Sequence, residues 1–224
     1  MRFQPRKSFP QRLLPILLGV SALLFSLYPA GAIIDAALQM QLGNPSGATA
    51  DTNNHDHYLI QRPVEAMDYS DHLAQPNWAS WDLTSGDTGS SGRSSSFFTD
   101  TNLPPTFFWL PGDPTNPFSG TGYDRGHMCP SGDRTTNTTY NDMVFFMSNI
   151  IPQASSQNEG IWANFEGQCR TYADAGNELL ITCGPSSFTT NKLYSNHVTI
   201  PDYTWKIAVV VPLSAGAATA IFHV

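Results

Sequence analysis

The apolar residues of this chain are grouped in short runs that turn residues interrupt, and this pattern limits the fold more than any other feature. Tyr58 to Ile60 and Trp78 to Leu83 are runs of this kind. Two later runs, Glu178 to Cys183 and Lys206 to Val211, are apolar and rich in residues that favour strands. The 17 glycines and 17 prolines are scattered between such runs, which favours many loops. We therefore predict one globular domain containing a sheet, with the two later runs as its central strands.

Two other segments have apolar residues at helical spacing. The first lies between Thr139 and Met147. The second begins near Ser156, where Ser156 and Glu159 match the pattern of a capping box, and its apolar positions then recur through Tyr172 so that they form one face. The sequence therefore predicts a helix in each segment.

The first 32 residues have the pattern of an export signal. Four cations precede the apolar run from Leu13 to Tyr28, and Ala30 to Ala32 supplies the small residues that suit a signal peptidase. We predict a signal peptide at 1–32, a secreted or periplasmic protein, and no stable membrane association after cleavage. An uncleaved anchor helix is the alternative, because the apolar run is close to the length that spans a bilayer. The polar residues 33–57 are predicted to extend along the surface of a domain formed by 58–224.

The mature body is acidic. The leader contains four of the eleven Lys and Arg residues and none of the eighteen Asp and Glu residues, so seven cations and eighteen carboxylates remain, a formal net charge of −11. This charge argues against a broad basic surface for nucleic acid. Any chemistry on phosphate must depend on a few local cations.

The three cysteines allow at most one intramolecular disulfide. Cys169 and Cys183 are the predicted pair, with Cys129 left over. The alternative is that all three are small buried apolar residues without a bridge. No Cys-x-x-Cys spacing occurs, so a zinc site is not indicated.

The tetrapeptide Asp124-Arg125-Gly126-His127 contains side chains that suit phosphodiester cleavage. An imidazole transfers protons near neutral pH, and a guanidinium is the best partner for a phosphate. Taken alone, four residues of this kind also fit a solvated turn. Additional motifs are needed to decide between these interpretations.

A second cluster follows about thirty residues later. It contains Asn149-Ile150-Ile151-Pro152-Gln153, then Asn158-Glu159-Gly160-Ile161-Trp162, and then Glu166. The order and spacing of both clusters resemble the DNA/RNA non-specific endonuclease family, which includes secreted bacterial nucleases and mitochondrial endonuclease G. The similarity extends over residues 43–211. It implies an α+β fold with a central, mostly antiparallel sheet flanked by helices and a ββα-metal active-site motif.

The resemblance also implies the central catalytic roles. His127 matches the general base that activates water, and Asn158 matches the single protein ligand of Mg²⁺, with Mn²⁺ as a substitute. Glu166 matches a residue that holds a water molecule of the metal. Other interpretations are a helix-start amide for Asn158 and an exposed surface carboxylate for Glu166. Asn158 and Glu166 are eight residues apart and can share one helix face.

Three further residues match the family's site. Arg93 and Arg125 resemble two cations that grip the scissile phosphate, although Arg93 lies in a Gly- and Ser-rich stretch that also fits a mobile, solvated loop. Asp124 either orients the water shell of the metal or fixes the turn. All three are predicted to act with His127.

The resemblance thus implies an endonuclease that cuts DNA and RNA without sequence preference and leaves 5′-phosphate products. A nuclease-like module that binds nucleic acid or protein without turnover is the alternative. For the enzyme, we expect activity to fall on acidification through a pH of about 6.5, the ordinary pKa of histidine. Family members usually continue beyond the position of Val224, so further C-terminal elements are expected in a complete domain.

Overall fold

The computed structural model describes residues 38–212 and 219–223, and the predicted signal peptide lies outside the described residues. The strands are β1 Tyr58–Gln61, β2 Ala66–Ser70, β3 Gln75–Leu83, β4 Tyr123–His127, β5 Ile150–Ala154, β6 Asn177–Leu193, β7 Val198–Pro212 and β8 Thr219–His223. The helices are α1 Thr138–Met143 and α2 Ala163–Asp174. A π-helical segment, Gln157–Trp162, precedes α2 and is kinked at Gly160, whose backbone is not helical (φ −99°, ψ −107°). Within the described ranges, no helix has both the length and the apolar character needed to cross a bilayer.

Six strands form one sheet, in the order β1-β2-β3-β6-β7-β8. Every neighbouring pair in this sheet is antiparallel. The predicted central strands are confirmed, since β6 and β7 lie inside the sheet. β4 and β5 form a separate antiparallel pair, followed along the chain by α2. The expected α+β class with an antiparallel sheet is therefore confirmed.

The main hydrophobic core lies between the sheet and a layer that contains α2. Side chains spaced along one face of α2 point inward, namely Phe165, Cys169 and Ala173. They join alternating inward residues of the sheet, because successive side chains of a strand point to opposite faces. The sheet side of this core consists of Ala79, Trp81, Leu83, Leu179, Ile181, Cys183, Ala208 and Val210. This packing holds α2 firmly against β6 and β7.

Both predicted helices differ from expectation at their boundaries. α1 ends at Met143 rather than Met147. The capping box was a wrong prediction: the backbone of Ser156 is already helical (φ −62°, ψ −29°), and its side chain makes no capping hydrogen bond. An N-cap residue needs an extended backbone to turn its side-chain oxygen toward the free N–H groups. The helix therefore begins in a different way, through the π-helical segment.

The predicted disulfide between Cys169 and Cys183 is not formed. Cys129, Cys169 and Cys183 are all free and buried. Burial raises the pKa of the Cys169 and Cys183 thiols to about 12 in each case, so both stay protonated and unreactive. The alternative of three small buried apolar residues describes these cysteines.

Candidate active site

The Asp124 to His127 motif occupies β4, where it pairs with Gln153 to Ile150 of β5. Position 126 requires glycine because the side chain of Gln153 approaches it closely, not because of its backbone angles. A Cβ at Gly126 would overlap the side-chain carboxamide of Gln153, which is itself almost fully buried. The glycine thus allows the two strands to carry functional side chains with a packed amide between them.

His127 lies in an aromatic enclosure and is 7% exposed. Its ring centroid is 4.6 Å from that of Phe145 and 5.3 Å from that of Phe97. Its Nε2 atom is buried, and no hydrogen-bond partner for it exists among the residues that the structure describes. The enclosure leaves one ring nitrogen free to accept a proton.

Burial lowers the pKa of His127 from 6.5 to about 3, and the positive charges of Arg93, Arg125 and Lys206 act in the same direction. The cause is that an imidazolium in this enclosure would lose its hydration and face three cations. The imidazole is therefore neutral at neutral pH, as a general base must be. From the sequence, activity was expected to fall on acidification through a pH of about 6.5, the ordinary pKa of histidine. The lowered pKa of His127 corrects this expectation and moves the fall to a more acidic pH.

The two predicted arginines lie at the same aromatic rings as His127. The guanidinium of Arg125 stacks 3.7 Å from the centroid of Phe97, and its Nη1 donates to Oδ1 of Asp113 at 2.8 Å. The guanidinium of Arg93 lies 4.7 Å from the centroid of Phe145. Both cations therefore border the enclosure of the imidazole. Such a pair suits an anion that approaches His127.

The loop that contains Arg93 is anchored to the domain. The backbone N–H of Ser91 donates to the carbonyl of Thr135 at 3.0 Å, and that of Ser94 donates to Oδ1 of Asn141 at 2.8 Å. Partial burial lowers the pKa of Arg93, while Glu166 opposes this change.

Asn158 lies in the π-helical segment next to β4. Its Nδ2 donates to Oδ2 of Asp124 at 3.1 Å, and the other oxygen of Asp124 accepts from Ser155 Oγ at 2.8 Å. No backbone N–H of the described residues donates to Asn158, so the helix-start interpretation does not account for it. Asp124 therefore fixes the amide orientation and leaves Oδ1 of Asn158 as a free acceptor.

Glu166 is in the first turn of α2 and points inward, with only 13% of its side chain exposed. Its Oε1 accepts from Nζ of Lys206 at 2.8 Å. Burial raises the pKa of this carboxyl, and the charge of Lys206 opposes the rise. Glu166 is therefore not an exposed surface carboxylate. Lys206 was missed as a site residue, although a single lysine in an otherwise apolar strand was a usable signal.

The donor set fits a cation that keeps most of its water. Among the described residues, no group of three or more His, Cys, Asp or Glu side chains could hold a metal ion. A Mg²⁺ site typically has few protein ligands rather than a full protein cage. The free amide oxygen of Asn158 and the carboxylates of Asp124 and Glu166 fit such a site. Gln153 is a further polar group here: both its Oε1 and its Nε2 are buried, and they lack partners in the described part of the chain.

Few cations of the acidic body reach solvent. Arg62, Arg134 and Lys206 are buried. The remaining four are Arg93, Arg125, Arg170 and Lys192. Arg170 lies one turn beyond Glu166 in α2 and was not among the site residues predicted from the sequence. Its Nη1 donates to Oδ1 of Asp133 at 2.8 Å. Three of the four accessible cations therefore lie at β4, α2 or the loop beside them.

Comparison with known proteins agrees with this geometry. Residues 43–221 match the sequence profile of the DNA/RNA non-specific endonuclease family. A nuclease from Nostoc sp. is 39% identical over 175 residues, which are 78% of this chain and 62% of that protein. Nuclease C1 from Cunninghamella echinulata var. echinulata is 30% identical over 186 residues, which are 76% of this chain and 69% of that protein.

A solved structure supports the fold. In the crystal structure of the EndoG/EndoGI complex, the matching chain is 20% identical, with a TM-score of 0.65 over 82% of this chain and 78% of that one. The expected family is thus confirmed by a profile match that spans most of the chain and by the relatives named above. The chain belongs to the DNA/RNA non-specific endonuclease family.

Proposed function

We propose that this chain is a secreted endonuclease that requires Mg²⁺, hydrolyses phosphodiester bonds of both DNA and RNA, and leaves 5′-phosphate ends. The observation that carries the proposal is the neutral, enclosed imidazole of His127 with an unpartnered Nε2 and two arginines at its aromatic walls. A buried neutral base beside two cations suits the attack of water on a phosphodiester. Family membership supports the same reaction.

In this mechanism, Nε2 of His127 accepts a proton from the water that attacks phosphorus. Arg125 and Arg93 contact the phosphate oxygens and stabilise the negative charge that develops there. Asp124 orients the Asn158 amide, so that Asn158 Oδ1 would hold the cation, and Glu166 would hold a water molecule of its hydration shell. A bound Mg²⁺ would supply positive charge to the scissile phosphate and to the leaving oxygen.

Acceptance of both DNA and RNA follows from what these residues recognise. Arginine, imidazole and a hydrated cation act on the phosphate group, which both polymers share, and phosphate contacts carry no sequence information. The acidic body supports binding at a local site rather than along a broad basic surface. DNA and RNA are therefore the proposed substrates.

A cleavage assay tests the proposal. Purified protein is incubated with supercoiled plasmid and with single-stranded RNA, in Mg²⁺ and in excess chelator, alongside His127→Ala and Asn158→Ala. We expect the parent to cut both polymers only with Mg²⁺, and both variants to stay folded without cutting. Equal cleavage by the parent and His127→Ala would exclude this base. Binding without cleavage by the parent would support the inactive binding module instead.

Two finer claims need separate measurements. The end chemistry is tested by labelling product ends with polynucleotide kinase, which should succeed only after phosphatase treatment. Export is supported by the leader sequence at 1–32. Expression in a bacterial host followed by N-terminal sequencing should find secreted or periplasmic protein that begins at Ile33.

A further inference from the structure

Lys206 is a lysine buried inside the core beneath the candidate site. It lies in β7 and is 1% exposed. Its ammonium lies 2.8 Å from Oε1 of Glu166, 4.1 Å from the ring centroid of Trp162 and 5.2 Å from that of Trp81. A lysine is almost never fully buried unless its charge is paired, so its contacts account for its position.

These contacts link α2 and the π-helical segment to the strand that carries His127. Glu166 belongs to α2, and Trp162 ends the π-helical segment that contains Asn158. The indole Nε1 of Trp162 in turn donates to the backbone carbonyl of His127 at 3.3 Å. One ammonium therefore contacts a carboxylate of α2 and the indole that links the π-helical segment to β4.

We propose that Lys206 is a positioning residue of the nuclease, whose ammonium holds the Glu166 carboxylate and the Trp162 indole so that α2 keeps its alignment with His127. Because Oε1 of Glu166 accepts from Lys206, the other carboxylate oxygen would be the one available to hold a water molecule of a bound cation. The inference rests on the proposed function. It assigns a role to a residue outside the two sequence motifs.

A purely structural lysine would behave differently. A buried ion pair can often be replaced by apolar residues without loss of stability, whereas removal of one partner leaves the other charge buried and unpaired. If Lys206 only filled space, methionine of similar length would serve. If it positions Glu166, methionine must impair the site, and arginine must restore part of the function.

The experiment compares Lys206→Met, Lys206→Arg, Glu166→Gln and the Lys206→Met/Glu166→Gln double variant. Val210→Ala, which shortens a buried apolar side chain of the same strand, controls for general loss of stability. The readouts are kcat and KM on a fluorescent DNA, thermal stability, and Mn²⁺ affinity by electron paramagnetic resonance without substrate. The Mn²⁺ readout does not depend on turnover.

We expect Lys206→Met to lower kcat and Mn²⁺ affinity by about 10- to 100-fold, the range found when the partners of metal-site residues are removed. Lys206→Arg should recover at least part of both losses. In the Glu166→Gln background, the same change should add less than about 3-fold, since groups that act as a unit are not additive. Val210→Ala should lose stability while it keeps kcat and Mn²⁺ affinity.

Three results would overturn the inference. The first is a Lys206→Met protein that loses no more kcat than Val210→Ala at equal stability. The second is an undiminished effect of Lys206→Met in the Glu166→Gln background. The third is unchanged Mn²⁺ affinity. If Lys206→Met alone does not fold, the double variant and Lys206→Arg decide the same question. A parent protein that binds Mn²⁺ but cuts nothing would refute the proposed function, and the Mn²⁺ comparison would still decide the role of Lys206.

Discussion

The enclosure of His127 predicts a stability that depends on pH through one residue. Its pKa falls from 6.5 to about 3, chiefly because the ring is buried and then because Arg93, Arg125 and Lys206 are near. Below pH 6.5 the unfolded chain binds a proton at this position, but the folded protein does not. Acidification therefore lowers the free energy of unfolding, and the loss is complete only below about pH 3.

The size of the effect follows from the two pKa values. Each pH unit between them removes about 1.4 kcal/mol, so the folded protein loses roughly 3 kcal/mol from this residue between pH 8 and pH 4. Replacing His127 with Gln removes the contribution, because glutamine does not titrate. The difference in stability between parent and His127→Gln should thus change by roughly 3 kcal/mol across this range, in favour of the variant at low pH.

The assay is urea unfolding in metal-free buffer at pH 8, 6, 5 and 4, followed by tryptophan fluorescence. Other groups with shifted pKa values, such as Glu65 at about 7 and Asp82 at about 8, are common to both proteins and cancel in the difference. A constant difference between parent and His127→Gln would refute the buried neutral imidazole, as would a kcat/KM that falls tenfold per pH unit just below 6.5.

Three shorter predictions concern the neighbours of this residue. Arg125→Ala should lower kcat/KM by about 100- to 1,000-fold, the range for removal of one donor to a developing anion. The melting temperature should change little. A decrease in kcat/KM of less than about 3-fold would contradict the role of Arg125 at the phosphate. Gly126→Ala should destabilise the protein by about 1–3 kcal/mol in urea unfolding, because the new methyl group overlaps the Gln153 amide, and a neutral result would mean that β4 and β5 yield easily. Asp124→Ala should weaken Mn²⁺ binding by about 10- to 100-fold in calorimetry because it releases the Asn158 amide, and unchanged affinity would show that Asp124 only fixes the strand.

The sequence predicted β1, β3, β6 and β7 because their signals are local, whereas no apolar run predicted β2, β4 or β5. Apolar runs near Trp78, Glu178 and Lys206 identified β3, β6 and β7, and the short motif around His127 identified the candidate base. The start of α2 was predicted less well. Ser156 and Glu159 have the spacing of a capping box, but the segment that follows is kinked at Gly160 and the amide of Asn158 binds Asp124 of β4, features that local spacing does not reveal.

The environment of each site residue depends on contacts that no local pattern contains. Phe97 and Phe145 enclose His127 from segments thirty residues before it and eighteen after it in the numbering. Glu166 and Lys206 are forty positions apart, yet they form an ion pair. Burial of a charge depends on such distant partners. The sequence therefore indicated the candidate site residues but not which of them would be neutral or enclosed.

The sparse cations of the acidic body have a consequence for behaviour on long polymers. A protein that neutralises only a few phosphates releases few counterions, so its affinity should change little with salt and its hold on any one strand should be brief. Sliding along DNA depends on such sequence-independent attraction. A nuclease built in this way would detach after each cut, so a long substrate would be shortened through many independent encounters rather than from one point of attachment.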